Sequence, residues 1–419
     1  MPVKGQQAVP SINGSWSKRA ALCVAVFCSV FARQVVGAEW SVEPIWKLES
    51  EFNTNRRLTT RPHQGVFGVI TDVGADFGMA TEVTKFSLKP VGTFSRYTGN
   101  ENLDSNELHV DLDTSHQLER ATFGMETSYA QESTLTAELE DTGLVQVQKE
   151  VDTVSANPSV TYQFNERNSL NVEYAYTDRM FQDSGKNGLF DYTYHVVDST
   201  YTYALSEKSQ LFGYLAYSRF EVPDLLSTTD SYYARAGYYR VFDENWRLTA
   251  SGGGVMSESQ FPVVGIVNNG GILSLVRRDI NVSANGWLAD VKLEKICEKG
   301  SWTAEYSRSV NPSARGAQTQ RDDYSLNFNH SFTDVLSGKV GLRYFTDQTQ
   351  QAGGFGAGAL NRDFVRADLQ ISYRLNEFWT LRSGYQYTFQ KYQTNKTGVD
   401  ANSITFNLIY SGDKLVKTR

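Results

Sequence analysis

Cysteine, proline and long hydrophobic runs are all scarce in this 419-residue chain. Of its three cysteines, two lie in the first 38 residues, so the rest of the chain keeps only Cys297 and cannot form an internal disulfide. The nine prolines form no Pro-rich hinge. The apolar run from Ala20 to Ala32 is shorter than the about 20 residues that a membrane-spanning helix needs. These absences exclude a disulfide-held secreted fold and a helical membrane protein.

The first 38 residues have the order of a secretory signal peptide. Lys18 and Arg19 precede the apolar run, and the segment closes at Val36-Gly37-Ala38, with small residues where signal peptidase reads. We therefore expect residues 1–38 to be a signal peptide that is cleaved after Ala38. Residues 39–419 are expected to form one domain, since no linker or change of composition divides them.

The charge balance is acidic, with a formal net charge of −7 at pH 7. Four of the basic residues lie in the predicted signal peptide, so the mature chain is more acidic still. A net negative chain disfavours nucleic acid as a partner. The sequence also has no Cys/His cluster at metal-ligand spacing and no glycine-rich phosphate loop, so neither a metal nor a cofactor is expected.

One short pattern recurs six times: an apolar residue, a spacer and then an acid. The copies lie 36 to 54 residues apart, at Phe164-Asn165-Glu166, Leu205-Ser206-Glu207, Phe242-Asp243-Glu244, Ile296-Cys297-Glu298, Phe332-Thr333-Asp334 and Leu375-Asn376-Glu377. An alternating segment follows each copy. A unit of about forty residues with one tight turn has the length of a two-stranded ribbon.

The segments between the turns alternate apolar and polar residues with period two. For example, Val365, Ala367, Leu369 and Ile371 alternate with polar residues, and helical spacing fits no such segment. Eighteen segments can be counted, although the long stretch 276–296 leaves sixteen open. We predict an all-β fold: a transmembrane antiparallel β-barrel with short periplasmic turns and longer extracellular loops.

The chain resembles bacterial outer-membrane barrels of the beta-barrel porin 2 type. The resemblance rests on the turn pattern, on the opening Trp40-Ser41-Val42-Glu43-Pro44, and on the last strand, where apolar and aromatic residues alternate up to Tyr410. It implies the outer membrane of a Gram-negative bacterium and a link to exopolysaccharide export or exosortase systems. Expected partners are outer-membrane lipid and lipopolysaccharide, the barrel-assembly machinery during insertion, and export-system proteins or further copies of the chain.

Along each strand, every second residue lies on the same face, and we call these two alternating sets the two parities of the strand. If the apolar parity faces lipid, the other parity faces the lumen. The predicted pore-lining residues are Lys85, Lys89, His109, Asp111, Asp113, Glu126 and Glu173 on one wall, and Lys339, Arg343, Arg366, Asp368 and Arg382 on the other. A mainly acidic wall would then face a mainly basic one, which gives a transverse field over the pore. The alternative is that these charges neutralise one another and have no role in selectivity.

Two further features have open interpretations. The apolar loop 260–275 either folds inward as a constriction, packs on a partner or a neighbouring protomer, or extends two strands above the membrane. Aromatic residues near the strand ends predict two interfacial girdles. The lower girdle would include Trp246, Trp302 and Trp379, and the upper girdle would include Tyr176, Phe181, Phe220, Phe389 and Tyr392.

The first hypothesis for function is a channel that passes polar solutes, or an exported polysaccharide, passively across the outer membrane. Barrels of 16 to 18 strands enclose an aqueous lumen, which favours this hypothesis. The second is a structural or interaction barrel of an export system with a closed lumen. An outer-membrane lipid hydrolase or protease is remote, because His330 and Ser331 are adjacent on a strand and point to opposite faces. We therefore predict no enzymatic activity and no catalytic residues.

Overall fold

The computed structural model of the chain describes residues 38–61, 63–99, 102–143, 148–269, 272–349, 361–393, 397–412 and 415–418. Within these ranges, the side chains of residues 264–276 are not described. The predicted signal peptide lies outside the described residues except for Ala38, so its cleavage stays a prediction.

Long antiparallel strands make up almost all of the described chain. The strands are Glu39–Asn53 (β1), Val66–Ala80 (β2), Thr84–Tyr97 (β3), Ser105–Gln117 (β4), Ala121–Ser133 (β5), Glu150–Asn165 (β6), Asn168–Phe181 (β7), Tyr192–Ser206 (β8), Ser209–Val222 (β9), Ser227–Val241 (β10), Trp246–Asn269 (β11), Ile272–Cys297 (β12), Gly300–Ser313 (β13), Ala317–Ser331 (β14), Leu336–Thr349 (β15), Arg362–Arg374 (β16), Trp379–Tyr392 (β17), Val399–Ser411 (β18) and the short Leu415–Thr418 (β19). One α-helical turn, Thr134–Ala137 (α1), and a 3-10 turn at Pro223–Leu225 interrupt them.

The sheet closes on itself. Each of the first seventeen strands pairs antiparallel with the next, and β1 pairs with β18 from Ile45 opposite Ser411 to Asn53 opposite Ser403. Strand β19 continues this seam beside the first four residues of β1. Closure leaves no long unpaired edge around the barrel wall. The predicted eighteen-stranded antiparallel barrel is therefore confirmed, and the sixteen-strand alternative is wrong because residues 272–297 form a single strand.

No helix among the described residues is long and apolar enough to cross a membrane.

The spacer residue of the repeated turn pattern caps the turn with its side chain. In the turn after β16, Oδ1 of Asn376 accepts hydrogen bonds from the backbone N–H groups of Phe378 and Trp379, both at 2.9 Å. Asp243 caps its own turn in the same way, and Asn165 and Thr333 do so in theirs. Asn, Asp and Thr favour turns because their side chains can bond the backbone two or three residues on. We call the end of the barrel that carries these turns the turn end, and the opposite end the loop end.

The two parities of the strands lie in different environments. On β15, Val340, Leu342 and Tyr344 are exposed on the outside, whereas Phe345, of the other parity, is 0% exposed. Its neighbour across the pair, Phe364 on β16, is also 0% exposed. In a wall one sheet thick, only the inner side can bury a phenyl ring. The apolar parity therefore faces outward and the charged parity faces the lumen, as predicted.

The hairpin of β11 and β12 is longer than the others. Beyond Gln260, β11 no longer pairs with β10, and β12 pairs with β13 only from Ala289 onward. The remainder is a two-stranded ribbon, paired up to Asn269 opposite Ile272 and about 30 Å long. The pairing agrees with the interpretation of residues 260–275 as a hairpin that extends two strands. A constriction formed by these residues stays a prediction. Contact of this ribbon with a partner stays a prediction.

The predicted girdle residues at the turn end pack against other aromatic rings, and their place at a membrane interface stays a prediction. Trp246 packs edge-on against Trp302 with ring centroids 5.2 Å apart, and Trp379 packs on Tyr410 at 5.0 Å. At the loop end, however, Phe181 and Phe220 have the inward parity and are buried in an apolar cluster. They form part of the packing of the lumen, and their placement in an interfacial girdle was wrong.

Candidate functional site

A segment after β5 leaves the wall at the loop end and enters the lumen. We call residues 134–143 the lumen bridge. Ser133 begins it, because its side chain accepts a hydrogen bond from the backbone N–H of Leu135 and caps α1. The bridge ends where the N–H groups of Thr142 and Gly143 both bond to the carbonyl oxygen of Glu138. Gly143 has φ +69°, a conformation that favours glycine.

One side of the bridge is held by the wall next to β5. Oε1 of Glu107 on β4 accepts hydrogen bonds from the backbone N–H of Ser133 at 3.2 Å and from the hydroxyl of Thr136 at 3.0 Å. Arg179 on β7 then reaches two acids of the bridge, with Nη2 at 2.9 Å from Oε1 of Glu138 and Nη1 at 2.6 Å from Oδ2 of Asp141.

The other side of the bridge is held by four arginines on β14 to β16. We call them the arginine wall: Arg321, Arg343, Arg362 and Arg366. The first contact is through the backbone, because the carbonyl oxygen of Glu140 accepts hydrogen bonds from Arg321 at 2.8 Å and from Arg362 at 2.7 Å. The carbonyl oxygen of Leu139 accepts another from Arg362 at 2.9 Å.

The second contact with the arginine wall is through the carboxylate of Glu140. Its Oε2 accepts a short hydrogen bond from Nη1 of Arg343, and its Oε1 lies 2.6 Å from Nη1 of Arg366. Arg343 and Arg366 are directly opposite each other across the β15–β16 pair. One carboxylate therefore joins two neighbouring guanidinium groups, each with one oxygen.

An acid and an aromatic ring support the arginine wall from within the barrel. Asp347, 3% exposed, accepts bonds from Arg321 at 2.6 and 2.9 Å and lies 3.2 Å from Arg362. The ring of Phe345 lies under three of the arginines, with guanidinium carbons 4.0 to 5.2 Å from its centroid. Stacking on an aromatic face and pairing with a buried acid both restrict the guanidinium planes.

These contacts place the bridge across the lumen. Strand β7 and strands β14 to β17 are not neighbours in the barrel, and the bridge touches both, since Tyr392 on β17 donates a hydrogen bond to the carbonyl oxygen of Thr142 at 2.8 Å. Glu138 is 0% exposed at the centre of this packing. Burial raises the pKa of its carboxyl to about 7, although Arg179 opposes the shift. The bridge is thus a candidate constriction of a polar lumen.

Below the bridge, toward the turn end, one wall of the barrel carries a polar cavity of about 470 Å³. Four of the predicted pore-lining residues lie around it: Lys89, Asp111, Asp113 and Glu126. Lys89 is opposite Asp111 across the β3–β4 pair, and Asp113 is opposite Glu126 across the β4–β5 pair. The structure therefore brings together three acids and one lysine of the predicted lining.

The other predicted pore-lining residues have the inward parity but are more scattered. His109 has Nε2 at 3.5 Å from Glu132, and Glu173 lies opposite Asp198. Asp368 lies 3.5 Å from Arg366. Lys85, Lys339 and Arg382 lie opposite polar residues near the turn end. Their role in lining a pore stays a prediction. Because Arg343 and Arg366 are paired with Glu140, the structure favours mutual neutralisation over a free transverse field at these two positions.

The lumen bridge and two of the four arginines of the arginine wall were not predicted from the sequence. Arg321 and Arg362 have the same inward parity as the two arginines that were predicted, and this parity was a usable signal. The bridge had a signal too, because Glu138-Leu139-Glu140-Asp141 places three acids in one connection. Nothing in the one-dimensional pattern told which connection turns inward.

Comparison with solved structures finds barrels that resemble this chain. The crystal structure of Pseudomonas aeruginosa OpdK with vanillate covers 91% of this chain and 99% of its own, with 8% identity and a TM-score of 0.45. Acinetobacter baumannii OccAB4 covers 91% and 99%, with 10% identity and a TM-score of 0.47. P. aeruginosa OccK2 (OpdF) in complex with glucuronate covers 89% and 98%, with 10% identity and a TM-score of 0.46.

No model of a protein family and no curated protein matches the sequence. The resemblance to the beta-barrel porin 2 type is therefore not confirmed. The barrel itself rests on its own strand pairing, which closes through β1 and β18.

Proposed function

We propose that the protein is a passive channel for small polar solutes in the outer membrane of a Gram-negative bacterium, and that the lumen bridge constricts it. The observation that carries the proposal is the inward-folded segment 134–143, which is held by charged side chains from both walls.

The outer face supports a place in a membrane. Outward residues on neighbouring strands form a continuous apolar surface, for example Leu326, Leu342 and Leu369, each nearly half exposed. An exposed apolar area that extends around a soluble protein would cause aggregation. In a bilayer, the same residues form the apolar band of a transmembrane barrel, and closure leaves every strand paired.

The bridge favours small solutes over a polymer. Its backbone carbonyl groups and acids are bonded to arginines of the far wall, and Glu138, Arg362 and Asp347 are almost completely buried. An exported polysaccharide would require the whole bridge to leave the lumen. A small solute requires only the space beside it or a local displacement.

A structural barrel with a closed lumen is the second candidate. The same buried contacts favour it, because a bridge that never moves would close the lumen at the loop end. The two functions differ in one property, which is whether polar solutes cross a membrane that contains the protein.

Solute permeation into proteoliposomes tests the proposal. We expect liposomes with the refolded protein to swell in isosmotic solutions of a small sugar such as arabinose, whereas liposomes without protein do not. Swelling that stays at the level of empty liposomes for sugars, amino acids and small organic acids alike would favour the closed structural barrel.

A further inference from the structure

We propose that Arg343 and Arg366 form a binding site for the carboxylate of a small organic acid, and that Glu140 occupies this site as a tethered stand-in. The inference rests on the proposed channel function, since it names the class of solute that the lumen would select. It is carried by one feature of the geometry: a carboxylate from a loop is seated between two arginines that belong to the wall.

The pairing of the two arginines calls for an anion. Arg343 and Arg366 lie directly opposite each other on adjacent strands, and both have the inward parity. Like charges directly opposite across a strand pair are destabilising. Such a pair becomes favourable when one anion contacts both members, and the carboxylate of Glu140 does so with one oxygen on each.

Each arginine of the wall also contacts an acid of the wall strands, and Glu140 adds one acid from the bridge. The wall itself supplies Asp323 to Arg343, Asp347 to Arg321 and Arg362, and Asp368 to Arg366. Four arginines therefore face three acids of the wall strands. The fourth negative charge comes from Glu140, which belongs to the bridge. Arg321 and Arg362 share Asp347, so the shortage of one negative charge lies at this buried group. When Glu140 leaves, Arg343 keeps Asp323 and Arg366 keeps Asp368, but no anion then joins the two guanidinium groups.

Solvent can reach the contacts of Glu140. The side chains of Glu140, Arg343 and Arg366 are 33%, 34% and 36% exposed, whereas those of Asp347 and Arg362 are 4% and 1% exposed. A solute in the lumen can therefore reach the Glu140 site, but not the Asp347 pair. Exchange of one carboxylate for another at this place does not require the buried contacts to break.

The carboxylate of Glu140 competes with a free organic acid for the two arginines, because its tether to the bridge gives it a high local concentration. Short tethers give effective concentrations in the millimolar range or above. A free acid will therefore bind weakly while Glu140 is present and more strongly when Glu140 is absent. Propionate is the suitable probe, because it is the free equivalent of the glutamate side chain, and propionamide is its uncharged counterpart.

Titration calorimetry in detergent, which needs no transport, tests the site. We expect Glu140→Ala to bind propionate at least about tenfold more tightly than the wild type, and neither protein to bind propionamide. Adding Arg343→Gln and Arg366→Gln to Glu140→Ala should abolish binding. Adding Lys339→Gln, an inward cation outside the site, should leave it unchanged. Glu140→Gln, which keeps the shape of the side chain, repeats the comparison if the alanine variant does not refold.

Equal affinity of the wild type and both Glu140 variants for propionate would overturn the proposal. So would binding that survives loss of the two arginines. Failure of the channel function is a separate result: propionate binding without solute permeation would support the site and remove the channel, whereas permeation without propionate binding would do the reverse.

Discussion

Gly143 is the residue on which the docked position of the bridge depends most closely. A Cβ at this position would lie 2.4 Å from Nη1 of Arg362 and 2.5 Å from the hydroxyl of Tyr392, and φ is +69°. Gly188 is a matched control, since its φ is +74° and a Cβ there would meet nothing within 4 Å. Both alanine variants carry the cost of the left-handed conformation, about 1–2 kcal/mol. Only Gly143→Ala also pushes the bridge from the arginine wall.

We therefore predict that Gly143→Ala opens the lumen more often than the wild type, whereas Gly188→Ala does not. Open probability in single-channel recordings measures the difference. If the two variants have the same open probability, the close packing of Gly143 does not hold the bridge in place.

Glu138 makes docking of the bridge depend on pH. Burial raises the pKa of its carboxyl from 4.5 to about 7, Asp141 adds to the shift, and Arg179 and Arg362 oppose it. The docked state therefore takes up a proton. Its stabilisation is complete below pH 4.5 and is lost as the pH rises to about 7.

The expected result is a bridge that opens more often at pH 8 than at pH 5, by about tenfold or more if the shift is one unit or larger. Glu138→Gln, which mimics the protonated form, should remove most of this dependence. Open probability that falls as the pH rises would contradict the assignment of Glu138.

At the scale of elements, the spacer residue of the turn pattern matters more than the acid. Asn376→Ala removes both side-chain hydrogen bonds that cap the turn between β16 and β17, and should cost about 0.5–2 kcal/mol. Glu377→Ala changes an exposed position and should stay within about 0.5 kcal/mol. Urea-induced unfolding of the two variants in lipid vesicles compares them. A larger loss for Glu377→Ala would show that the acid directs the turn.

The regular elements could be predicted from the sequence, but the inward-folded one could not. Strand alternation such as Leu369, Gln370 and Ile371 has a fixed period, because successive side chains on a strand face opposite sides. This period was enough to predict that Arg343 and Arg366 face the lumen. The direction of a loop has no period, since it is decided by contacts with strands far away in sequence, as between Glu140 and Arg366.

The arrangement of the apolar loop 260–275 also could not be predicted from its composition. Residues 260–275 looked unusual for an exposed surface, and an inward constriction was one explanation. The pairing of Phe261 with Ile280 and of Asn269 with Ile272 continues the hairpin. Backbone pairing extends through the described part of the segment, and the apolar composition alone did not predict this pairing.

At the scale of the whole molecule, an eighteen-stranded barrel is wide enough for an aqueous lumen, and the bridge decides whether that lumen conducts. Removal of the bridge, with a short Gly-Ser linker in place of residues 135–142, leaves the paired strands β5 and β6 unchanged. Shortening the β11–β12 ribbon beyond Gln260 is the matched control, because it removes another loop-end segment, which pairs with neither β10 nor β13.

Single-channel conductance of these two variants and the wild type in planar bilayers tests whether the bridge constricts the lumen. We expect small or infrequent openings for the wild type and for the shortened ribbon, and openings several times larger for the variant without residues 135–142. The same small conductance in all three proteins, or an increase only when the ribbon is shortened, would contradict it.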